Sequence, residues 1–503
     1  MSIGEESLSL VVPLNEIPDE GGRAIGISNL SGRGCLSRQD VVGSRGEFAG
    51  YLCEKDEIVL FRDRLGARNL FYALNDGSVV LSTDLGWLAG QVKTEPNWPL
   101  ILSDYLQFQI PFTDETFFSG IKKVMPGELV RISKSGNVTR EAYWDIEFGA
   151  VPFDPKHLLD LIVDAVEYRL SLIKGTPFTS YLSGGLDSST VTLLAKPKEC
   201  YSGFYEEEGY SERDYIEAVI PRNGHPERYV PVEITESSLK DKLGELPKVL
   251  PDPCAGLGVI PQVLVAEEAA RAGYRYAFTG EGGDEIFLGY NWNTMVFSLA
   301  QAARGLLRDR YMVRYEPMVE KVLRDGFATF TGGLLARGDD VLYATRRILD
   351  LWDRDQPVEN NILKINLKAG LPAILTLDEQ VGRYSGVEPI SPLIDHHIVE
   401  YVCSVRPMER APLPKSMLRD ALVGILPEKI RMRYEKMGFP VPFKKWAWPT
   451  IRPTLESLRR RGVLEVDPAK HTTMDRETWA LYSIEAWCEH FFGKPSATEK
   501  ETR

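Results

Sequence analysis

The sequence predicts an α/β fold in two parts: a β-rich N-terminal region, then a doubly wound parallel sheet that runs on into a helical C-terminal part. Three observations predict it. The first is a strand, a glycine turn and a helix in succession. The apolar lead is Phe178-Thr179-Ser180-Tyr181-Leu182, the turn is Ser183-Gly184-Gly185-Leu186-Asp187-Ser188-Ser189, and Thr190-Val191-Thr192-Leu193-Leu194-Ala195 follows with helical character. The second is a later apolar run, Tyr274-Arg275-Tyr276-Ala277-Phe278-Thr279, ending at once in Gly280-Glu281-Gly282-Gly283-Asp284-Glu285. The third is a change of pattern across Gly149 to Pro155, from short apolar runs to helices alternating with buried strands.

In chain order, Glu57-Ile58-Val59-Leu60-Phe61 and Ser78-Val79-Val80-Leu81-Ser82 read as strands on either side of Asn69-Leu70-Phe71-Tyr72-Ala73, with Asn75-Asp76-Gly77 as a turn. Gly127 to Ile132 is a further strand, turned by Lys134-Ser135-Gly136-Asn137. The boundary separates a domain of residues 1–148 from one of residues 156–495. His157 to Leu172 is a long amphipathic helix, and the two glycine loops then close two buried strands. In such a sheet, ligands bind at the carboxyl ends of the strands. The rest is mostly helical in pattern, and Ser496 to Arg503 is expected to fray.

Composition narrows the function. A chain of 503 residues with 43% hydrophobic and 26% charged residues is ordinary for a soluble protein of two or three domains. A formal charge of -13 argues against a nucleic-acid partner, and Arg459-Arg460-Arg461 reads as a solvated helix face. The six cysteines are scattered without paired spacing, so neither a zinc ribbon nor a disulfide framework is expected. His396-His397 is the one adjacent histidine pair, and adjacent side chains point apart on a helix. Met1 to Glu6 is acidic, and no apolar run approaches the roughly 18 residues that span a bilayer. No membrane partner and a cytoplasmic location are therefore expected.

The first glycine loop has the makings of an anion site. Unpaired amides converge at a helix start, Gly184 and Gly185 let the backbone come close, and Ser183, Ser188 and Ser189 add donors without bulk. Asp187 stands where a carboxylate can hold magnesium against phosphates, and Asp284 repeats that arrangement at the second strand end. The loop lacks the lysine of a Walker loop, so it is not a γ-phosphate cradle. It resembles the pyrophosphate loop of ATP pyrophosphatases, which cleave ATP between the α and β phosphates.

Further ordered motifs extend the resemblance. They are Phe61-Arg62-Asp63-Arg64-Leu65-Gly66-Ala67-Arg68-Asn69-Leu70-Phe71-Tyr72; Thr116 to Ile121 with Pro126-Gly127; and Tyr143-Trp144. Tyr210-Ser211-Glu212, Gly289-Tyr290, the set Glu388, Pro392 and Asp395, and Lys436-Met437-Gly438-Phe439-Pro440-Val441-Pro442 follow. With them the chain resembles class B asparagine synthetases and their relatives over nearly its whole length. The resemblance implies ATP and Mg2+ as cofactors. Leu182, Ser202, Thr279 and Gly280 would line the adenosine pocket beside the loop of Ser183 to Ser189, although relatives usually carry an aliphatic residue at Ser202. Lys436 would stabilise phosphate charge, Glu281 would take a proton from an attacking amine or position the nucleotide, and Glu388 belongs to the acidic motif. The implied substrates are a small-molecule or peptide carboxylate and ammonia or an amine, and a homodimer is among the assemblies the resemblance allows.

The same resemblance marks departures. Glutamine-using relatives begin Met-Cys, and that cysteine serves as nucleophile with its own amine as base; here Ser2 follows Met1. The amide-binding stretch of the family has no counterpart, and Cys35 and Cys53 are internal. Residues 1–148 are therefore expected to be a truncated glutaminase-like domain, a β-rich remnant of an N-terminal-nucleophile fold, with glutamine hydrolysis lost. In the second domain Ile390 replaces a family arginine, Glu379-Gln380 stands for an acidic-arginine pair, and Gly382-Arg383-Tyr384 for Ser-Met-Ala. A guanidinium binds carboxylates bidentately, so aspartate as acyl donor is in question. The expected activity is that of an ATP-dependent, AMP-forming amide synthetase like asparagine synthetase. A β-lactam synthetase or lasso-peptide cyclase, or a non-catalytic relative, stays open; Glu281 favours the first reading over β-lactam synthetases, which carry tyrosine there.

Overall fold

The computed structural model describes the chain outside residues 1–6, 31–35, 107–110, 112, 208–209, 211, 221–225, 254–255, 257, 291–292, 294–295, 298–346, 348–349, 411–412, 435–450, 472–474 and 496–503. Ser2, Cys35, Ser211 and the whole Lys436 to Pro442 motif lie outside the described residues.

Two antiparallel sheets make up the N-terminal part. One has the order β1-β6-β5-β7, from strands β1 (Ser9–Pro13), β5 (Phe71–Asn75), β6 (Ser78–Ser82) and β7 (Lys122–Lys123). The other has the order β2-β3-β4-β8-β9, from β2 (Glu20–Ser28), β3 (Gly46–Glu54), β4 (Glu57–Arg62), β8 (Glu128–Ser133) and β9 (Val138–Ala142). The turn between β5 and β6 has positive φ at both central residues, 47° at Asp76 and 73° at Gly77, as a twisted two-residue hairpin requires. Alternation sorts the side chains. Ile58 and Leu60 of β4 meet Tyr72, Val79 and Leu81 between the sheets, while Val59 and Phe61 face the opposite core beside Val41 of α1 (Arg38–Val42).

The first sheet's outer face is not left to solvent. Phe71, Ala73 and Val80 share a core with Trp479 and Trp487 from the C-terminal helix Arg476–Phe492, and Phe118 meets the Trp487 ring edge-on at 5.0 Å. The two domains thus pack as one body around common apolar side chains.

The third sheet is parallel throughout, in the order β12-β11-β10-β13-β14. Its strands are β10 (Phe178–Tyr181), β11 (Glu199–Phe204), β12 (Arg228–Glu233), β13 (Tyr276–Phe278) and β14 (Glu388–Ile390). Helices cover both faces, as the sequence predicts. Tyr276 and Phe278 point toward α2 (Pro155–Ile173), and Ala277 toward α4 (Val259–Arg271); α3 (Leu186–Ala195) follows β10 directly. From β10 the chain builds outward to β11 and β12, then returns to add β13 and β14 on the other side. The reversal falls between β10 and β13, the switch point at which such sheets open a crevice. Among the described residues no helix is long and apolar enough to cross a membrane.

Candidate active site

At the switch point the two glycine loops interlock. Gly184 has φ of +69°, which turns the chain out of β10 into α3. A Cβ on Gly280 would stand 2.5 Å from the backbone nitrogen of Ser188, and one on Gly283 would stand 2.4 Å from Cγ of Asp187. Only glycine permits that approach. The loop is braced from within: the Ser183 and Ser188 hydroxyls are 2.9 Å apart, and Ser188 Oγ accepts from the Ser183 amide at 3.2 Å.

This packing brings the two predicted metal carboxylates together. Asp187 opens α3 and Asp284 lies in the short turn Gly283–Ile286, and both meet one ammonium. Lys415 Nζ donates to Asp187 Oδ2 and lies 2.6 Å from Asp284 Oδ1, with its side chain buried. Its backbone, at φ of +57°, caps α6 (Ser416–Ala421). The other Asp187 oxygen is buried without a hydrogen-bond partner. Among the described residues no three His, Cys, Asp or Glu side chains gather closely enough to hold a metal alone. Two carboxylates with a spare oxygen nevertheless suit magnesium, which takes few protein ligands and completes its shell with water and phosphate oxygens.

The loops open into a half-open cleft at the carboxyl ends of the strands. Of the residues expected to bind nucleotide, Leu182, Ser183, Gly185, Asp187 and Ser188 line it from the first loop. Ser202, Thr279 and Gly280 line it from the ends of β11 and β13. Gly184 and Ser189 support the loop from outside the lining, Ser189 with a fully buried hydroxyl. Glu281 and Asp284 complete the expected set.

Glu388 stands apart. It pairs across from Tyr276 at the amino end of β14, away from the carboxyl ends, and its carboxylate takes the Arg68 guanidinium. Ile390, in the family's arginine position, is buried in the core.

Three further groups were not singled out from the sequence: Lys415, Glu285 and Asp378. Glu285 accepts from the Tyr290 hydroxyl, and burial followed by the neighbouring Asp284 charge pushes its carboxyl up to about 7. Asp378, on α5 (Leu371–Ser385), faces the cleft, and burial followed by Glu281 and Glu47 pushes its carboxyl well above the ordinary range. A lone lysine after Pro414, or an aspartate within a helix, carries no local signal of such a placement.

The RDRLGARN segment, Arg62 to Asn69, locks onto the C-terminal part of the chain. Asp63 Oδ1 accepts from the amides of Leu65, Gly66 and Ala67 at 3.1, 2.8 and 3.0 Å, curling the loop. Glu379 then accepts from the Asn69 amide at 2.8 Å. Nearby, Asp395 Oδ2 accepts from Arg45 and Arg169, both at 2.8 Å, and Arg169 reaches Glu47 at 3.1 Å. These arginines hold the Asp395 carboxyl well below the usual range despite its burial.

Comparison with known proteins agrees with this architecture. The asparagine synthase family pattern matches residues 157–489, and the glutamine amidotransferase domain pattern matches residues 35–144. The glutamine-hydrolyzing asparagine synthetase 1 of Bacillus subtilis (strain 168) is 27% identical over 450 residues, covering 80% of this chain and 68% of its own. Asparagine synthetase 3 of the same organism is 26% identical over 471 residues, covering 86% and 72%. Amidase chry2 of Gibberella zeae is 22% identical over 503 residues, covering 84% and 73%. The chain belongs to the asparagine synthase family, a family of ATP-dependent amide-forming ligases.

Proposed function

We propose that this chain is an AMP-forming amide synthetase that activates a carboxylate on ATP and passes the acyl group to ammonia or an amine, without hydrolysing glutamine. The observation that carries the reading is the meeting of Asp187 and Asp284 on one ammonium where the loops after β10 and β13 interlock. The amides and hydroxyls of Ser183 to Ser188 would receive the phosphates. Asp187 and Asp284 would hold magnesium, which when bound supplies positive charge to the phosphates. Lys415 adds a buried ammonium to the same place, and Lys436 is proposed to join it. A substrate carboxylate oxygen attacks the α-phosphorus, the bond to the β-phosphate oxygen breaks, and pyrophosphate leaves. Fixed positive charge is most useful where phosphate charge grows. The amine then takes the acyl carbon from AMP, and Glu281, at the cleft wall, would receive its proton.

A screen of carboxylates for ATP–pyrophosphate exchange tests the reading. Exchange dependent on one class of acid is expected; ATP and magnesium binding with no exchange across the screen would point to a non-catalytic relative.

A further inference from the structure

Five carboxyl groups face one cleft: Asp187, Asp284, Glu281, Glu285 and Asp378. Lys415 satisfies the first two, which are also the proposed magnesium ligands. Glu285 accepts from Tyr290. Asp378 differs from all of them. It is 5% exposed, faces the cleft, and has no hydrogen-bond or ion-pair partner among the described residues. Tyr181 also lines the cleft, and its hydroxyl, whose ionisation the Asp378 charge disfavours, is buried without a hydrogen-bond partner. Buried polar groups are almost always paired within a protein, and an unpaired one in a cleft marks a place where a ligand completes the pairing.

We propose that Asp378, with Glu281 and the Tyr181 hydroxyl, forms a subsite for an organic cation, the primary ammonium group of an amine-bearing substrate. The proposal rests on the synthetase reading for its biological meaning, but its binding chemistry stands separately. An anionic group would meet Glu281 and Asp378 together and be repelled. A neutral alcohol or amide would leave the carboxylates' mutual repulsion in place. An alkylammonium answers both carboxylates at once, with its third proton free for the tyrosine oxygen. The site also lacks the family's guanidinium for an acid, since Ile390 is turned into the core. Burial and the Glu281 and Glu47 charges push Asp378 upward, a shift that a bound cation would reverse. Arg68, whose guanidinium opposes that upward push, is already committed to Glu388 and Glu47.

The experiment is calorimetric titration of the full chain with putrescine and n-butylamine, with butyrate and butanol as shape-matched controls. Saturable binding of at least one alkylammonium is expected, with none for the controls. Asp378→Asn should weaken it by at least about tenfold, the scale of one charge-assisted hydrogen bond. Asp378→Asn should also raise the melting temperature of the ligand-free protein, since an unpaired buried carboxyl is removed. Should that variant fail to fold, Glu281→Gln is expected to weaken the amine in the same direction. Absence of saturable amine binding, or equal binding by wild type and the folded variants, would overturn the subsite. Magnesium–ATP binding is measured on the same wild-type protein: its absence alongside intact amine binding would sink the synthetase reading and leave the cation subsite standing.

Discussion

Two buried aspartates, Asp378 and Asp395, are 5% and 1% exposed, yet they do opposite things. Asp395 lies in the seam between the domains with two guanidinium groups on one oxygen, which hold its carboxyl down. Asp378 faces the cleft with no described partner, and its carboxyl is pushed up. Burial alone raises both; the partners decide the outcome. The seam is therefore read as structure, because its charges are satisfied within the fold. The cleft is read as function, because its charges are satisfied only in part.

The sharpest way to break this comparison is at the paired carboxylates of the cleft. Asp187→Asn or Asp284→Asn is expected to abolish carboxylate-dependent ATP–pyrophosphate exchange while circular dichroism stays unchanged, since an amide replaces a hard oxygen ligand poorly. Near-normal exchange in either variant would remove the metal role. Next in size, Lys415→Met should lower turnover by at least about a hundredfold, the scale of one preorganised electrostatic group, with ATP affinity changed much less. Lys436→Met is expected to behave alike in the same assay. Loss of ATP binding with normal single-turnover chemistry would reassign either lysine to affinity.

The seam should respond in stability instead. Asp395→Asn leaves Arg45 and Arg169 facing an amide, and is expected to cost about 3–5 kcal/mol in urea unfolding, as for other broken buried pairs. The folded-state value of Asp395 lies below the ordinary 3.8. Its contribution is thus complete above that value and is lost as pH falls through the lower folded-state value. The gap in stability between wild type and Asp395→Asn should narrow on acidification below about 3.8; a gap independent of pH would show that the ion pairs are not its source. The smallest effect is expected in glutamine turnover. Glutamate release from glutamine should be absent in the purified chain, and release that vanishes on Ser2→Ala would restore glutaminase activity to the first domain.

What could be read from the sequence follows how local its signal is. The strand–loop–helix runs around Ser183 and Gly280 are short-range patterns, and the structure places both loops at neighbouring strand ends. Between the two predicted strands the structure adds a third, which begins at Phe71, while Asn69 before it is held by Glu379 and Arg62. Lys415 reaches Asp187 across 228 positions with nothing nearby to announce it. Arg68, read as part of a glutaminase motif, meets Glu388 across 320 positions, so that motif works here as a clasp between domains. Asp378 is the instructive case. A helix periodicity cannot tell a solvated carboxylate from one turned into a cleft; only the packing of α5 against α4 and β14 separates them.

The central claim is that this cleft breaks ATP between the α and β phosphates. Phosphorus NMR of the products, once an acid supporting exchange is found and its amine supplied, tests it most directly. Equal amounts of AMP and pyrophosphate, formed in step with the amide and without ADP, are predicted. ADP with inorganic phosphate would mean that activation proceeds through an acyl phosphate, and would contradict the assignment of the Ser183 to Ser189 loop.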